Sequence, residues 1–593
     1  SVLPANLGHP DKRLRQAAAR LAKLLPAAAW KKLGERLDKV GVQAQLTATL
    51  AGIWRTPATP IHREALLRLS LLLPKISEAE LRLQAVRLVI LALGDYHLQN
   101  PSAEVYTAYE FPQSEAADSA ALGRVRQNLR DSFPSGATVL DFETARLLGM
   151  LEDDSPEVQS KVASFFRPDS SPASDFHFLT VLSRLPGPRP EDQTKTVAQV
   201  ILNLDGKLAL RGQRNRQNWN PRLAEVVSNL GRRDPRLAGA LLGQPEFAQP
   251  GHVGLAASFS PDQRLQAARL FKSAVETRSQ FLWSGALVDL LGALPAPEVQ
   301  ALFREGWANP ALQEKILVQL ARRPDSLDRG KYLQGLESAQ PELVQTCLAA
   351  LAQFPRDPLP ERMVPLLRLL RRSLSDPRRN SLRSAVLALI NRQADAALEV
   401  REEATDLASL QRVYQPVFAW FEQRHPQSSA ALVEDSAEDS ARWNRLLKSV
   451  AWEKGDAGRG EAHFRERACQ TCHASANGLG PDLHGVAGRF SADDLFRAIL
   501  FPNRDVAPPY RTTVFETRDG QTYVGQVAFE SADGLIIQTG AAATVRLAAA
   551  DIVSRRPSDQ SLMPGGLLDG LKAENLADLY SFLKTLRTGL ASP

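Results

Sequence analysis

Cysteine is nearly missing from this chain: 593 residues carry three, Cys347, Cys469 and Cys472. Three thiols cannot build a disulfide framework, so the fold must stand on a hydrophobic core. Aromatic residues make up only 6%, with Leu, Ala and Arg prevailing, which argues against a mostly β chain and for helices packed through aliphatic side chains. Long apolar runs are absent too, the longest being short stretches such as Leu88 to Leu93, far below the ~18 residues a membrane-spanning helix needs. Nor is there an excess of one charge. The 72 basic and 66 acidic residues leave a net +6 and are interspersed along the chain, so neither a nucleic-acid partner nor a polybasic tail is expected. Ser1 is preceded by no basic, apolar, small-residue signal pattern.

What is there fits a folded protein: 44% hydrophobic and 23% charged residues are close to globular averages. The length exceeds what one hydrophobic core organises, so two or more units are expected. Through residues 1–395 one theme recurs, a capping or Pro-containing start followed by an amphipathic helix. It is seen at His9-Pro10-Asp11, Ser155-Pro156-Glu157, Ser260-Pro261-Asp262, Ala296-Pro297-Glu298, Gln340-Pro341-Glu342 and Asp376-Pro377-Arg378. Ser or Asp satisfies the first free N–H groups, Pro suits the first turn, and an early acid suits the helix dipole. Pro261, Pro297, Pro341 and Pro377 are spaced by 36, 44 and 36 residues, about one helix pair of an α-solenoid. The Pro-Asp-x-x-x-Arg-x-x-Ala texture resembles HEAT repeats, with an irregular helical bundle as the alternative. Stacked helix pairs leave an extended surface, so a scaffold for partners or neighbouring domains is expected. His62, His97, His177 and His252 occur singly and are read as surface or hydrogen-bonded residues, and Cys347 as a small core residue.

The chemistry concentrates further on, at Cys469-Gln470-Thr471-Cys472-His473. Thiols at i and i+3 can add to the two vinyl groups of a haem, with the adjacent histidine beneath the iron. A structural zinc site is the first rival, but it needs four ligands and no further cysteine follows. A thioredoxin-like dithiol is the second, but it needs a preceding strand, whereas residues 456–468 read as helix.

The surroundings resemble the class I cytochrome c fold. Gly460 and Phe464 precede the motif as in that fold's first helix, with one residue more than the commonest spacing before Cys469. Gly480-Pro481-Asp482-Leu483-His484-Gly485 looks like its Gly-Pro-x-Leu-x-Gly loop, and Leu576, Leu579, Leu583 and Leu586 repeat at helical spacing as in its closing helix. The resemblance implies that the Pro481 carbonyl accepts the second ring N–H of His473, that His484 is structural, and that Met563, in Ser561-Leu562-Met563-Pro564, is the sixth iron ligand. A Met packed in a turn, a five-coordinate iron and ligation by His463 are the alternatives. Met563 lies 90 residues after His473, and the excess length is expected to be an inserted antiparallel module over 512–556, with turns at Asp519-Gly520, Asp533-Gly534 and Gly540. The whole of 450–590 resembles the haem-binding domain of planctomycete and verrucomicrobial multidomain cytochromes. Ile499-Leu500-Phe501-Pro502-Asn503, Ala507-Pro508-Pro509-Tyr510 and Arg555-Arg556-Pro557-Ser558 carry the match together with the motifs above.

The expectation is therefore a mainly α protein: a HEAT-like helical scaffold over 1–395, a helical connector over 396–450, and a cytochrome c domain over 451–593. Cys469, Cys472, His473, Pro481, Arg489 and Met563 would bind one covalent haem c, His473 and Met563 through its iron. The implied role is electron relay between a dehydrogenase and a downstream carrier, without a membrane span. Two other roles stay open, the C-terminal part of a propeller-type sugar or alcohol dehydrogenase and a haem-bearing subunit of a larger assembly. Haem attachment of this kind takes place outside the cytoplasmic membrane, so a bacterial periplasmic or other extracytoplasmic location is expected, with Ser1 a processed or truncated start. Arg459, Arg465, Arg467 and Arg489 are expected to give the haem edge a positive bias.

Overall fold

The computed structural model describes residues 2–37, 39–56, 61–94, 104–110, 119–212, 219–278, 281–402, 406–432, 437–473, 479–531, 534–540, 543–558, 560–568 and 570–586. It is mainly helical with one five-stranded antiparallel sheet. The chain divides into two compact units, Ser1–Ala267 and Ala268–Pro593. Among the described residues no helix is long and apolar enough to cross a membrane.

Each of the six start signals begins a helix. Asp11 accepts from the Arg13 N–H before Lys12–Lys23, and Ser155 accepts from Val158 with Pro156 opening the turn. Asp376 accepts from Arg378 across a short 3₁₀ turn that leads into Asn380–Ala394. In the first unit, Lys12–Lys23, Val42–Arg55, Ala79–Ala92, Thr138–Met150, Pro172–Arg184 and Trp219–Arg233 each pack on the next of the series, while Arg63–Leu72 packs on Ser119–Ser132 and Glu191–Leu210 on Pro156–Ala163 and Leu237–Leu242. Alternate stacking gives every helix an apolar stripe toward the neighbouring layer, which is why Leu, Ala and Val dominate the buried residues. Among the described residues His62, His177 and His252 are interior. His177 is stacked on Phe142 and bonded to the Tyr109 hydroxyl at 2.7 Å, His252 bridges the carbonyls of Phe247 and Leu202, and His62 is buried beside Thr56. His97 lies outside the described residues.

The second unit, taken by itself, contains α1 (Gly285–Leu291), α2 (Ala296–Gly306), α3 (Gln313–Leu320), α4 (Arg329–Gly335), α5 (Pro341–Leu351), α6 (Pro360–Ser373) and α7 (Asn380–Ala394). There α1, α3, α5 and α7 pack in succession, and α4 packs on α6. Cys347 is fully buried in α5, and burial pushes its thiol up to about 12. After α8 (Leu407–Arg424) and α9 (Ala437–Ser449) come α10 (Ala457–Glu466), α11 (Cys469–His473), α12 (Ala492–Leu500) and α13 (Ala573–Thr585). Trp443, Leu447 and Val450, which the sequence reading placed in the connector, join Phe464, Phe496, Leu576, Leu579 and Leu583 in one core.

Between α12 and α13 stand β1 (Thr513–Thr517), β2 (Thr522–Ser531), β3 (Gly534–Gly540), β4 (Ala543–Ala548) and β5 (Ile552–Pro557), ordered β4-β3-β2-β1-β5. The insertion expected over 512–556 is thus a sheet within one residue of those limits. Phe515, Leu535, Ile537 and Leu547 form its own small core. Gly520, with φ 84°, makes the β1–β2 turn, whereas Asp533 lies outside the described residues.

Candidate functional site

The site is built where α10 crosses α13. Gly460 lets the two helices approach: a Cβ there would lie 2.0 Å from the Asp578 carbonyl oxygen and 2.8 Å from Phe582 Cβ. Gly455 meets the Ala577 carbonyl in the same way. One turn on, the Phe464 and Phe582 rings pack with centroids 5.1 Å apart. The buried Asp578 carboxylate locks the crossing, accepting from the Asp456 N–H at 2.6 Å and from both arms of Arg459 at 2.7 and 2.8 Å. Arg459 holds its pKa below the usual carboxylate range.

At the end of α10 the chain takes a left-handed step at Ala468, φ 55°, a conformation that costs a non-glycine residue about 1–2 kcal/mol. It redirects the backbone into α11. The single turn of α11 puts Cys469 and Cys472 at i and i+3, on one side, and both are unbridged and partly buried. Burial pushes the Cys469 thiol up to about 11 and raises that of Cys472. Cys469 also touches the α10–α13 core.

His473 is held from two directions. Its Nδ1 lies 2.8 Å from the Pro481 carbonyl oxygen, a contact that requires the proton on Nδ1 and leaves Nε2 as the lone-pair nitrogen. Gly480 lies against the ring, since a Cβ there would come within 2.7 Å of Cε1, and its N–H is anchored on the Cys472 carbonyl at 2.9 Å. Burial lowers the His473 pKa and so favours the neutral imidazole. Nε2 makes no hydrogen bond among the described residues.

The other sequence-picked residues take varied places. Met563 sits half-buried in the loop after β5, its N–H donating to Ser561 Oγ at 3.1 Å, while the Ser561 N–H donates to Asn503 Oδ1 at 2.7 Å. The residues after it, Pro564 to Leu567, share the wall of a cleft of about 730 Å³ with Glu466 and Arg467, just ahead of Cys469, and with Trp307, Gln334 and Arg362 of the helical layers. Arg489 is exposed and donates to the Asp482 carbonyl at 3.0 Å, bracing the loop after Pro481. His484 is exposed and bonded to Asp482. His463 is turned into the α10–α13 seam, with its ring nitrogens near Glu466 and Asn575. The expected positive bias is weaker than the count of arginines suggests, because Arg459 is paired with Asp578 and Arg465 with Glu461.

Sequence reasoning did not find Asp578, Gln340 or Asp376 as supports of this region. Their partners lie 119 or more residues away, so no local spacing betrays them.

The donor set fits a haem better than a bare metal. Among the described residues no group of three or more His, Cys, Asp or Glu could hold an ion, which leaves a structural zinc without its four ligands. A haem brings four nitrogens of its own and asks of the chain two thiols, one oriented imidazole and at most one more ligand. No protein-family model matches the chain, and no curated protein is significantly similar to it.

Proposed function

We propose that the chain is a c-type cytochrome whose C-terminal part, of the class I kind seen in planctomycete and verrucomicrobial multidomain cytochromes, carries one covalent haem c. Cys469 and Cys472 would hold it by thioether bonds, and His473 and Met563 would ligate its iron. The observation that carries this reading is the His473–Pro481 hydrogen bond beside two partly buried, unbridged thiols on one helical turn.

When bound, the haem supplies a reversible one-electron Fe(II)/Fe(III) couple. The chain's part is positional. Pro481 fixes the His473 tautomer and raises its basicity. Gly480 keeps the ring plane clear, and the Gly460 crossing with the Asp578 latch holds α10 so that α11 projects the thiols at a fixed spacing. Met563 would add a thioether to the imidazole of His473 and so close the iron to substrate, which suits electron relay.

The helical section is read as a HEAT-like solenoid, its support being the packing of alternate helices in succession within each unit. It serves as the scaffold for a dehydrogenase that delivers electrons and a carrier that removes them, in the periplasm or another extracytoplasmic compartment of a bacterium. Potentiometric titration of the purified pigmented protein tests the relay. A single reversible one-electron couple, with a ferrous form that does not bind carbon monoxide, is expected; ready carbon monoxide binding would mean an open iron and a different function.

A further inference from the structure

We infer that the helical section positions the Met563 loop through the inserted sheet, with Gln340 and Asp376 as the positioning residues; the inference rests on the reading of Met563 as iron ligand. Gln340 precedes α5 and clamps the sheet at two strands. Its amide nitrogen donates to the Val524 carbonyl at 2.8 Å and the Thr539 carbonyl at 3.0 Å, and its oxygen accepts from the Val524 N–H at 3.4 Å. One side chain thus bonds backbone groups of both β2 and β3.

Asp376 makes the second attachment. It caps the turn into α7 and forms an ion pair with Arg556 of β5 at 3.5 Å. Arg556 also faces Glu516 of β1 at 3.7 Å, and Arg378 reaches the same carboxylate at 3.9 Å. The helical layer and the two outermost strands on this side therefore share one alternating charge network, with Asp376 largely buried inside it.

From Arg556 the chain reaches Met563 in seven residues, and hydrogen bonds pin it at Ser558, Gln560, Ser561 and Met563. The Ser558 N–H donates to the Thr512 carbonyl at 3.0 Å. The buried Thr512 hydroxyl donates to the Gln560 carbonyl at 2.6 Å. Gln560 donates to Ser558 Oγ at 3.2 Å, Ser561 to Asn503 at 2.7 Å, and Met563 to Ser561 at 3.1 Å. A segment fixed at this density has little freedom of its own, so its position follows that of β5, which Asp376 holds directly and Gln340 only through β2 and β1 of the same sheet. Beyond Met563, Pro564 to Leu567 face helical-layer residues across the cleft.

Two readouts test this in the full-length holoprotein with the variants Gln340→Ala and Asp376→Asn, and with Glu530→Ala, which breaks only the exposed pair to Arg555 on the same sheet. The first is hydrogen exchange of the 558–566 segment. The second is the apparent Kd of imidazole for the ferric protein, since imidazole must displace Met563. Both docking variants are expected to speed exchange in the loop and tighten imidazole binding about tenfold, equivalent to a lost coupling of about 1.4 kcal/mol, with Glu530→Ala unchanged. Wild-type exchange and wild-type imidazole affinity in both variants would overturn the inference. Should Asp376→Asn fail to fold, Gln340→Ala decides alone, because it removes hydrogen bonds and no charge. If wild-type protein lacks a sulfur-to-iron absorption band, the ligand reading has failed, and exchange in the loop still decides whether the helical section positions it.

Discussion

Replacing Gly460 by alanine sets two effects of opposite sign against each other, and the geometry decides between them. In an exposed helix interior the change would stabilise by about 1 kcal/mol through backbone entropy. Here the new Cβ lies 2.0 Å from the Asp578 carbonyl oxygen and 2.8 Å from Phe582 Cβ. A carbon–oxygen contact normally needs about 3.3 Å or more, so α13 must retreat by over an ångström, and its obstacle is backbone that cannot rotate aside. The retreat loosens Leu576, Leu579 and Leu583 in the core and stretches the Asp456–Asp578 hydrogen bond. Overpacking costs about 1–3 kcal/mol, occasionally more. With a backbone obstacle the upper part of that range applies, and subtracting the propensity gain leaves a net loss of about 2 kcal/mol. Native-state hydrogen exchange of the α13 amides reads this directly, as a roughly 30-fold faster exchange at 1.36 kcal/mol per decade. Gly488→Ala, where an added Cβ meets nothing within 4 Å, is the control and should stay within about 0.5 kcal/mol of wild type. Equal or slower exchange in Gly460→Ala would refute the close crossing on which the site is built.

Other outcomes follow from the same physics. Arg459 holds the Asp578 pKa below its unfolded value, so that pair's contribution is full above the ordinary carboxylate range and lost as pH falls through the folded value; Asp578→Asn should flatten the acid limb of the unfolding curve for α10–α13, and an unaltered limb would remove the latch from the account. Burial drives His177 down to about 3, so between its usual 6.5 and that value only the unfolded chain takes up the proton and the first unit loses stability as pH falls across the window; His177→Phe should lessen this slope in thermal melts, and an identical slope would contradict the assignment. Cys347, with its thiol pushed up to about 12, should resist alkylation at pH 8 until denaturant is added; rapid labelling of the native protein would show that the site is open. Gly480→Ala, which would place a Cβ 2.7 Å from the His473 ring, should lower the yield of pigmented protein and shift its ferric spectrum, and wild-type yield and spectrum would mean that the ring is not held there.

The parts of this molecule that could be read from the chain are those encoded by neighbours in sequence. Pro, Ser and Asp at helix starts act within one turn, and all six such signals proved to be helix beginnings. The thiol–thiol–imidazole grouping and the Pro481 contact come from segments eight residues apart, short enough for a motif to carry. The sheet was visible in its strand pattern and the Asp519-Gly520 turn, because hairpin register is set locally. What could not be read depends on pairings across more than 100 residues: the Arg459–Asp578 latch, which ties an exposed arginine to a buried carboxylate, and the Gln340 and Asp376 attachments. Trp443, Leu447 and Val450 were assigned to a connector because their helix follows a polar stretch; only the packing against Phe496 and α13 reveals them as core.

The central claim is a covalent haem on Cys469 and Cys472, and intact mass measurement joined to haem staining of denaturing gels tests it most directly. The chain should be exported and matured in a bacterium equipped for c-type haem attachment. The expected result is the polypeptide mass increased by one haem, colour that survives both the gel and acid acetone, and loss of both in the Cys469→Ala, Cys472→Ala double variant. A polypeptide of unmodified mass, or pigment that acid acetone extracts completely, would contradict the account.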